Sequence, residues 1–384
     1  MKTIGVICEY NPFHNGHARQ LRLIRERFGA DSAIICAMSG NYVQRGDVAL
    51  FAKHDRAEAA VLCGADLVVE LPISCALSSA EGFAAGGVQL LDALACDVLS
   101  FGSECGDAAP LLRAAELQLS PDFDSLLRLH LSDGGSYASA RAAALRELGA
   151  PDVVTLPNNI LGVEYCKAIL RGNSRIQPMA IARTGAYHAE ELDPDAPSAS
   201  AIRAAICSPE QWKPAVPSCL HALYASAMRY SAAAGERAML SRLRTLPDEA
   251  FRALPFGSEG LWSKLMKNCR SAASVEEILV STKSKRYPRT RLQRMLYCAF
   301  LGMTEELMRE QAPYYRILAF NQRGRALLHE KKRTAVLLDS GERPAPSAYA
   351  SLERRAADLF SLFAEGEVAP GDAESRLRNR YVQR

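Results

Sequence analysis

The chain has 384 residues, 48% of them hydrophobic and 23% charged, with a net charge of +3. Its length exceeds what one core comfortably holds and points to two domains, while the composition excludes disordered and collagen-like chains. No run approaches the roughly 18 uncharged apolar residues of a membrane span, so no membrane contact is expected.

Residues 3–7 (TIGVI) read as a first strand, too short and too soon followed by polar residues to be a secretory leader. Residues 16–28 place Leu21, Ile24 and Phe28 at helical spacing. The alternation then continues through strand 32–37, helix 53–63, strand 66–70, helix 79–94 and strand 97–102. Helices follow over 108–117, 123–131, 138–148 and 160–170, and a fifth strand over 175–183. This order predicts an α/β domain over residues 1–207, a Rossmann-like, doubly wound and mostly parallel sheet. Ligands in such sheets sit at the carboxyl ends of strands, where strand order switches. Segment 208–218 (SPEQWKPAVPS) holds three prolines and is expected to be a linker. Beyond it, helices over 220–232, 236–244, 259–268, 275–281, 289–301 and 351–365 predict a mainly helical domain over 208–384. One short strand pair is expected near 316–320 and 334–338.

The modest net charge conceals an asymmetry. Residues 1–207 carry 17 Lys and Arg against 24 Asp and Glu, whereas residues 208–384 carry 29 against 19. A basic second half is expected of a surface that meets phosphates. The 11 cysteines form no CxxC pair and lie mostly in apolar segments. They read as buried thiols of a cytoplasmic protein, without disulfide partners or a metal site.

The strongest local signal follows the first strand, in Glu9-Tyr10-Asn11-Pro12-Phe13-His14-Asn15-Gly16-His17. A strand-to-helix junction presents free N–H groups and a positive dipole, which suit phosphate oxygens. Gly16 lets backbone approach a ligand. His14 and His17 are the candidate catalytic pair, donating hydrogen bonds to charge that builds at phosphorus. Downstream, Ser198-Ala199-Ser200-Ala201-Ile202-Arg203 reads as a capped helix start, with Ser198 as cap or phosphate contact and Arg203 facing a leaving pyrophosphate.

HxGH followed by SASAIR resembles the nucleotidyltransferase superfamily. The resemblance is closer to the bacterial tRNA(Met) cytidine acetate ligase family, through EYNPFHNGH, MSGNYVQRGDVALFAKHDRAEAAVLCGADLVVELP, SFGSE, PNNILGVEY, RTGAYH and KSKRYPRTRLQRMLY. That resemblance covers most of the chain in order. It implies a nucleotidyltransferase-like fold and activation of acetate by ATP to acetyl-AMP. The acetyl group would then pass to N4 of the wobble cytidine of elongator tRNA(Met). By position it implies that ATP is held by Ile7, Cys8, Glu9, Tyr10, Asn11, Pro12, Phe13, His14, Asn15, Gly16, His17, Ala18, Arg19 and Gln20. Gly102, Asn158, Asn159, Arg183 and Thr184 complete the set, and Mg2+ is left open as the nucleotide's companion. Gln20 departs from the family, which often carries His there, and keeps hydrogen-bonding capacity without a cation.

The loop after the second strand offers Asn41, Gln44, Arg45, Lys53 and Arg56 as substrate candidates. Asp66 and Glu70 read as structural. Lys283, Lys285, Arg286, Arg289, Arg291 and Arg294, interleaved with Tyr287 and Tyr297, have the composition of an RNA-phosphate surface with stacking aromatics. Arg316, Arg323 and Arg325 extend that expectation. A small-molecule adenylyltransferase would also account for both motifs but would leave the basic half idle. A non-catalytic RNA-binding module would leave the intact histidine pair unexplained.

Overall fold

A computed structural model of the protein describes all residues except 133–136, 153–155, 184–192, 194–196, 285, 333 and 384. Its strands are β1 (Thr3–Cys8), β2 (Ala33–Ser39), β3 (Tyr42–Val43), β4 (Asp47–Val48), β5 (Leu67–Leu71), β6 (Val98–Ser103), β7 (Gln177–Ala182), β8 (Tyr315–Phe320), β9 (Leu337–Leu338) and β10 (Arg380–Tyr381). The main sheet runs β10-β8-β5-β2-β1-β6-β7, with β9 on β8 and a separate β3–β4 hairpin. From β5 to β7 every pairing is parallel.

The strands read as unbroken apolar runs because both faces are covered. Ile35 and Ala37 of β2 enter one core with Leu67, Phe83, Leu91 and Leu99. Their neighbours Ile34, Cys36 and Met38 point the other way, against Leu21, Ile24, Ala57 and Val61. The chain moves outward from β1 through β2 to β5, then crosses back to β6 on the other side of β1. That reversal opens a crevice at the carboxyl ends of β1 and β6.

Residue 208 is not a boundary of the sheet. The expected strand pair near 316–320 exists, but β8 pairs antiparallel with β5, and β9 and β10 both pair with β8. In return, Tyr42, Val48 and Leu77 lie in the helical core built around Leu243, Phe251, Leu265, Leu292, Phe300 and Phe363. Nor is 208–218 a loose linker. It folds into the short helix Pro209–Trp212 and a 3-10 turn, with Trp212 only 2% exposed. Apolar burial holds a proline-rich segment that composition alone assigns to solvent. The helix expected over 220–232 stops at Ser226, and the Tyr230 N–H donates to Leu50 O. Of the 11 cysteines six are buried as expected, but Cys63, Cys75 and Cys105 are half-buried and Cys207 and Cys219 exposed. No described helix is long and apolar enough to cross a membrane.

Candidate active site

The crevice is a cleft of about 580 Å³ lined from β1, the helix Asn15–Phe28, the β3–β4 hairpin, the helix Ala199–Ala204 and the start of the helix Arg289–Leu301. Its shape begins at Tyr10, which takes a left-handed φ of 45°. Packing sustains that conformation: the ring is buried, with Phe13 at 4.7 Å and His17 at 4.8 Å between centroids. From outside the loop, the Tyr224 hydroxyl accepts the Phe13 N–H at 3.0 Å and donates back to Phe13 O at 3.2 Å.

His14 caps the following helix. Its Nδ1 accepts the Gly16 N–H at 3.1 Å, and His17 Nδ1 accepts the His14 N–H at 3.3 Å. A ring nitrogen that accepts carries no proton, so each neutral ring holds its proton on Nε2 and can donate from there. The rings stack with centroids 3.7 Å apart. A Cβ on Gly16 would sit 3.0 Å from His14 Cε1, which explains a glycine between them. Burial, with Arg183 adding, lowers His14 to about 3. Burial, His14 and Arg183 together hold His17 well below its ordinary value. The pair is therefore neutral at physiological pH, two uncharged donors at the positive end of a helix.

Keeping His14 neutral has a measurable consequence. Its folded pKa lies below the ordinary 6.5, so the stabilisation is complete above that pH and is lost as pH falls toward 3. At pH 5 the loss from this ring is about 2 kcal/mol. Urea midpoints of the native protein should fall between pH 7 and 5 more steeply than those of His14→Gln. Equal falls would contradict the neutral buried ring.

Around the pair, Arg19 donates to Ala182 O at 3.2 Å and Gln20 Nε2 to Ser100 O at 3.3 Å. Gln20 thus ties the helix to β6. Gly102 lies under Arg183: a Cβ there would come within 3.1 Å of Arg183 Cγ. Arg183 Nη1 donates to Asn158 Oδ1 at 3.3 Å. Glu104 anchors that side by accepting the Asn158 and Asn159 N–H groups at 3.0 and 2.8 Å. Ser198 caps its helix, accepting the Ala201 N–H at 3.0 Å, and Arg203 reaches Asn11 O at 2.7 Å.

Most of the expected nucleotide residues therefore converge. Ile7, Cys8, Glu9, Tyr10, Asn11, His14, Gly16, His17, Arg19, Gln20, Gly102, Asn158, Arg183, Ser198 and Arg203 all line the cleft. Pro12, Phe13, Asn15, Ala18 and Asn159 do not. Asn159 is fully buried, its Oδ1 accepting from Ser103 Oγ at 2.6 Å and from the Glu104 N–H at 3.0 Å. Thr184 lies outside the described residues.

Of the substrate candidates, Gln44 and Arg45 line the cleft and Asn41, Lys53 and Arg56 do not. Arg56 is buried, donating to the carbonyls of Phe51, Glu9, Ser39 and Gly40. It clamps the ends of β1 and β2 rather than facing a ligand. Lys53 is buried against Glu70 at 2.7 Å and Glu374 at 2.8 Å. Asn41 Oδ1 accepts the Lys53 N–H at 3.0 Å.

The basic segment divides in the same way. Lys283 and Arg286 are exposed, with Arg286 paired to Glu259 at 2.7 Å. Arg289 is half-buried, paired with Glu276, and reaches the cleft rim. Arg291 is turned inward onto Phe256 O, and Arg294 is buried over the Phe256 ring with Gln44 O at 3.4 Å. Lys285 lies outside the described residues. Arg316 is no surface residue, being buried with Glu353 and Glu374. The residue most easily missed is Asp47, the first residue of β4, which also lines the cleft.

Comparison with known proteins agrees with this geometry. A family profile described as HIGH Nucleotidyl Transferase matches residues 1–375. A tRNA(Met) cytidine acetate ligase of Caldicellulosiruptor saccharolyticus is 36% identical over 381 residues, covering 94% of each chain. One from Syntrophotalea carbinolica is 38% identical over 350 residues, covering 85% of this chain and 82% of its own. The crystal structure of apo Thermotoga maritima TmcAL superposes over 100% of both chains with a TM-score of 0.89 at 28% identity. The same protein bound with alpha-thio ATP gives 0.88, again at 28% identity and full coverage of both chains.

Proposed function

The chain belongs to the tRNA(Met) cytidine acetate ligases within the HIGH nucleotidyl transferase family, and we propose from that premise that it acetylates N4 of the wobble cytidine of elongator tRNA(Met) at the expense of ATP. Acetate is a poor acyl donor because its oxygen is a poor leaving group. In the first step a carboxylate oxygen of acetate bonds to the α-phosphorus, the bond to the bridging oxygen breaks, and pyrophosphate leaves. In the second, N4 attacks the carbonyl carbon of acetyl-AMP and AMP leaves. The cytosine amine is a weak nucleophile, its lone pair drawn into the ring, so orientation against the trapped anhydride must supply much of the rate.

The observation that carries this reading is the stacked, neutral histidine pair at the end of β1. Two Nε2–H donors at a helix N-terminus suit charge growing on the α-phosphoryl oxygens, and they need no reorganisation when it grows. Arg183 and Arg203 supply the cations for the departing pyrophosphate. Gln44 and Arg45, on the hairpin, line the cleft, and we assign them to acetate or the base. Lys283, Arg286 and Arg289 are the part of the basic segment with exposed or half-exposed charge, and we assign the tRNA backbone to them. Among the described residues no three His, Cys, Asp or Glu side chains gather as metal ligands.

Mass analysis of tRNA(Met) after incubation with the protein, ATP and isotopically labelled acetate tests the function. The expected product is labelled N4-acetylcytidine at the wobble position, formed with pyrophosphate release that requires acetate. Pyrophosphate release that ignores acetate and requires a nucleotide acceptor would support a small-molecule adenylyltransferase instead.

A further inference from the structure

The two-step reaction leaves one proton unaccounted for. When N4 bonds to the acetyl carbon, the C–O bond to AMP breaks and AMP departs as an anion, so N4 must shed one of its two protons to a base. The histidines do not qualify. Each Nδ1 is already accepting a backbone N–H, and each Nε2 carries the ring's hydrogen. Among the described residues, the cleft lining contains two carboxylates, Glu9 and Asp47.

These carboxylates have different neighbours. Glu9 Oε1 accepts the Gln44 N–H at 2.6 Å, at the exit of β1 that leads into the histidine loop. Asp47 belongs to the hairpin wall. Its Oδ1 accepts the Val48 N–H at 2.8 Å and stands 3.4 Å from the hydroxyl of Tyr297, on the helix Arg289–Leu301. Both bonds fall on one oxygen, whereas a carboxylate has about four acceptor sites. The first turns of the same helix bring Arg289, Thr290 and Gln293 into the cleft. Hairpin and helix are seated in direct backbone contact at Gly46, where φ is +77° and a Cβ would lie 2.4 Å from Arg294 N. Asp47 therefore stands where the nucleotide cleft meets the element that carries the basic segment.

We propose that Asp47 is the general base of the transfer step, accepting the N4 proton of cytidine as the acetyl group leaves acetyl-AMP. This rests on the ligase reading above. Its environment fits the task. Burial raises the Asp47 carboxyl from its ordinary value, only partly offset by the Val48 N–H, Arg203 and Tyr297, and a raised carboxyl is the stronger base.

The test separates the two half-reactions in the full-length protein. Asp47→Asn should still form acetyl-AMP from ATP and acetate but transfer it to tRNA(Met) about 10²-fold or more slowly, so that acetyl-AMP accumulates. Asp47→Glu should recover part of the transfer rate, with tRNA affinity unchanged in both. Chemically prepared acetyl-AMP should not rescue Asp47→Asn. Transfer at the native rate from supplied acetyl-AMP would overturn the proposal. So would loss of acetyl-AMP formation in an Asp47→Asn protein that still binds an ATP analogue. Should Asp47→Asn fail to fold, Asp47→Glu and Glu9→Gln decide: a transfer defect in Glu9→Gln with native transfer in Asp47→Glu would assign the proton to Glu9. A native enzyme that makes no acetyl-AMP at all would overturn the ligase reading and this base together.

Discussion

Replacing His17 by alanine is expected to slow acetate-dependent pyrophosphate release by about 10²–10³-fold, the cost of deleting one donor aimed at developing charge. Binding of tRNA(Met) should persist if Lys283, Arg286 and Arg289 carry it as proposed, because none of them lies on the helix Asn15–Phe28 that holds His17. The ring has two functions that smaller substitutions separate. Its Nδ1 accepts the His14 N–H, and its Nε2–H is free to donate. Asparagine places an acceptor near Nδ1 and nothing at Nε2, whereas glutamine places an amide donor near Nε2. If donation to phosphate is the role, His17→Asn is as slow as His17→Ala and His17→Gln recovers part of the rate. If His17 only holds the loop, the order reverses. Quench-flow measurement of pyrophosphate in a single turnover decides between them, since steady-state rates also report product release.

The arrangement of the histidine pair was legible in the sequence because it is local. Strand, loop and helix cap lie within fifteen residues, so their spacing alone sets the geometry. The parallel strands were legible for a similar reason, as doubly buried strands print continuous apolar runs. What the sequence hid is non-local. Nothing near Lys53 announces Glu374, and nothing near Arg56 announces that four carbonyls close on it. Cations beside a ligand loop therefore read as substrate candidates when the structure makes them struts. Strand β8 was visible as an apolar run, but its antiparallel place beside β5 depends on pairing across some 250 residues. Asp66 read as structural, and its carboxylate indeed accepts the Ile34 N–H at 2.8 Å. Asp47 lies within the stretch that carries the family resemblance, but nothing near it in sequence announces the helix Arg289–Leu301 packed beside it.

Lys53→Met should cost about 3–5 kcal/mol of stability, the usual penalty for removing one partner of a buried ion pair. Lys53 sits on the helix Lys53–Leu62, Glu70 on β5, Arg316 on β8, Glu353 on the helix Ala348–Ser361 and Glu374 on the helix Ala373–Arg376. Two cations thus hold three carboxylates between the sheet and the C-terminal elements. Burial would raise Glu374, but Lys53 and Arg316 outweigh it and hold that carboxyl below its ordinary value. Glu70 lacks the second partner at bonding distance, and burial leaves it raised to about 7 despite Lys53. Methionine keeps the stem's volume and removes the charge, so Glu70 should then titrate still higher. A carboxyl raised in the folded state favours folding at low pH and loses that advantage as pH rises through its folded value. The deficit of Lys53→Met should therefore be largest near pH 8 and shrink toward pH 6, as Glu70 takes up a proton. Urea midpoints at the two values measure this directly. A second substitution, Glu374→Gln, should restore part of the loss in Lys53→Met while destabilising the native protein, because in the native cluster that carboxylate is paired twice. Additive losses in the double variant would show that Lys53 and Glu374 do not act through each other.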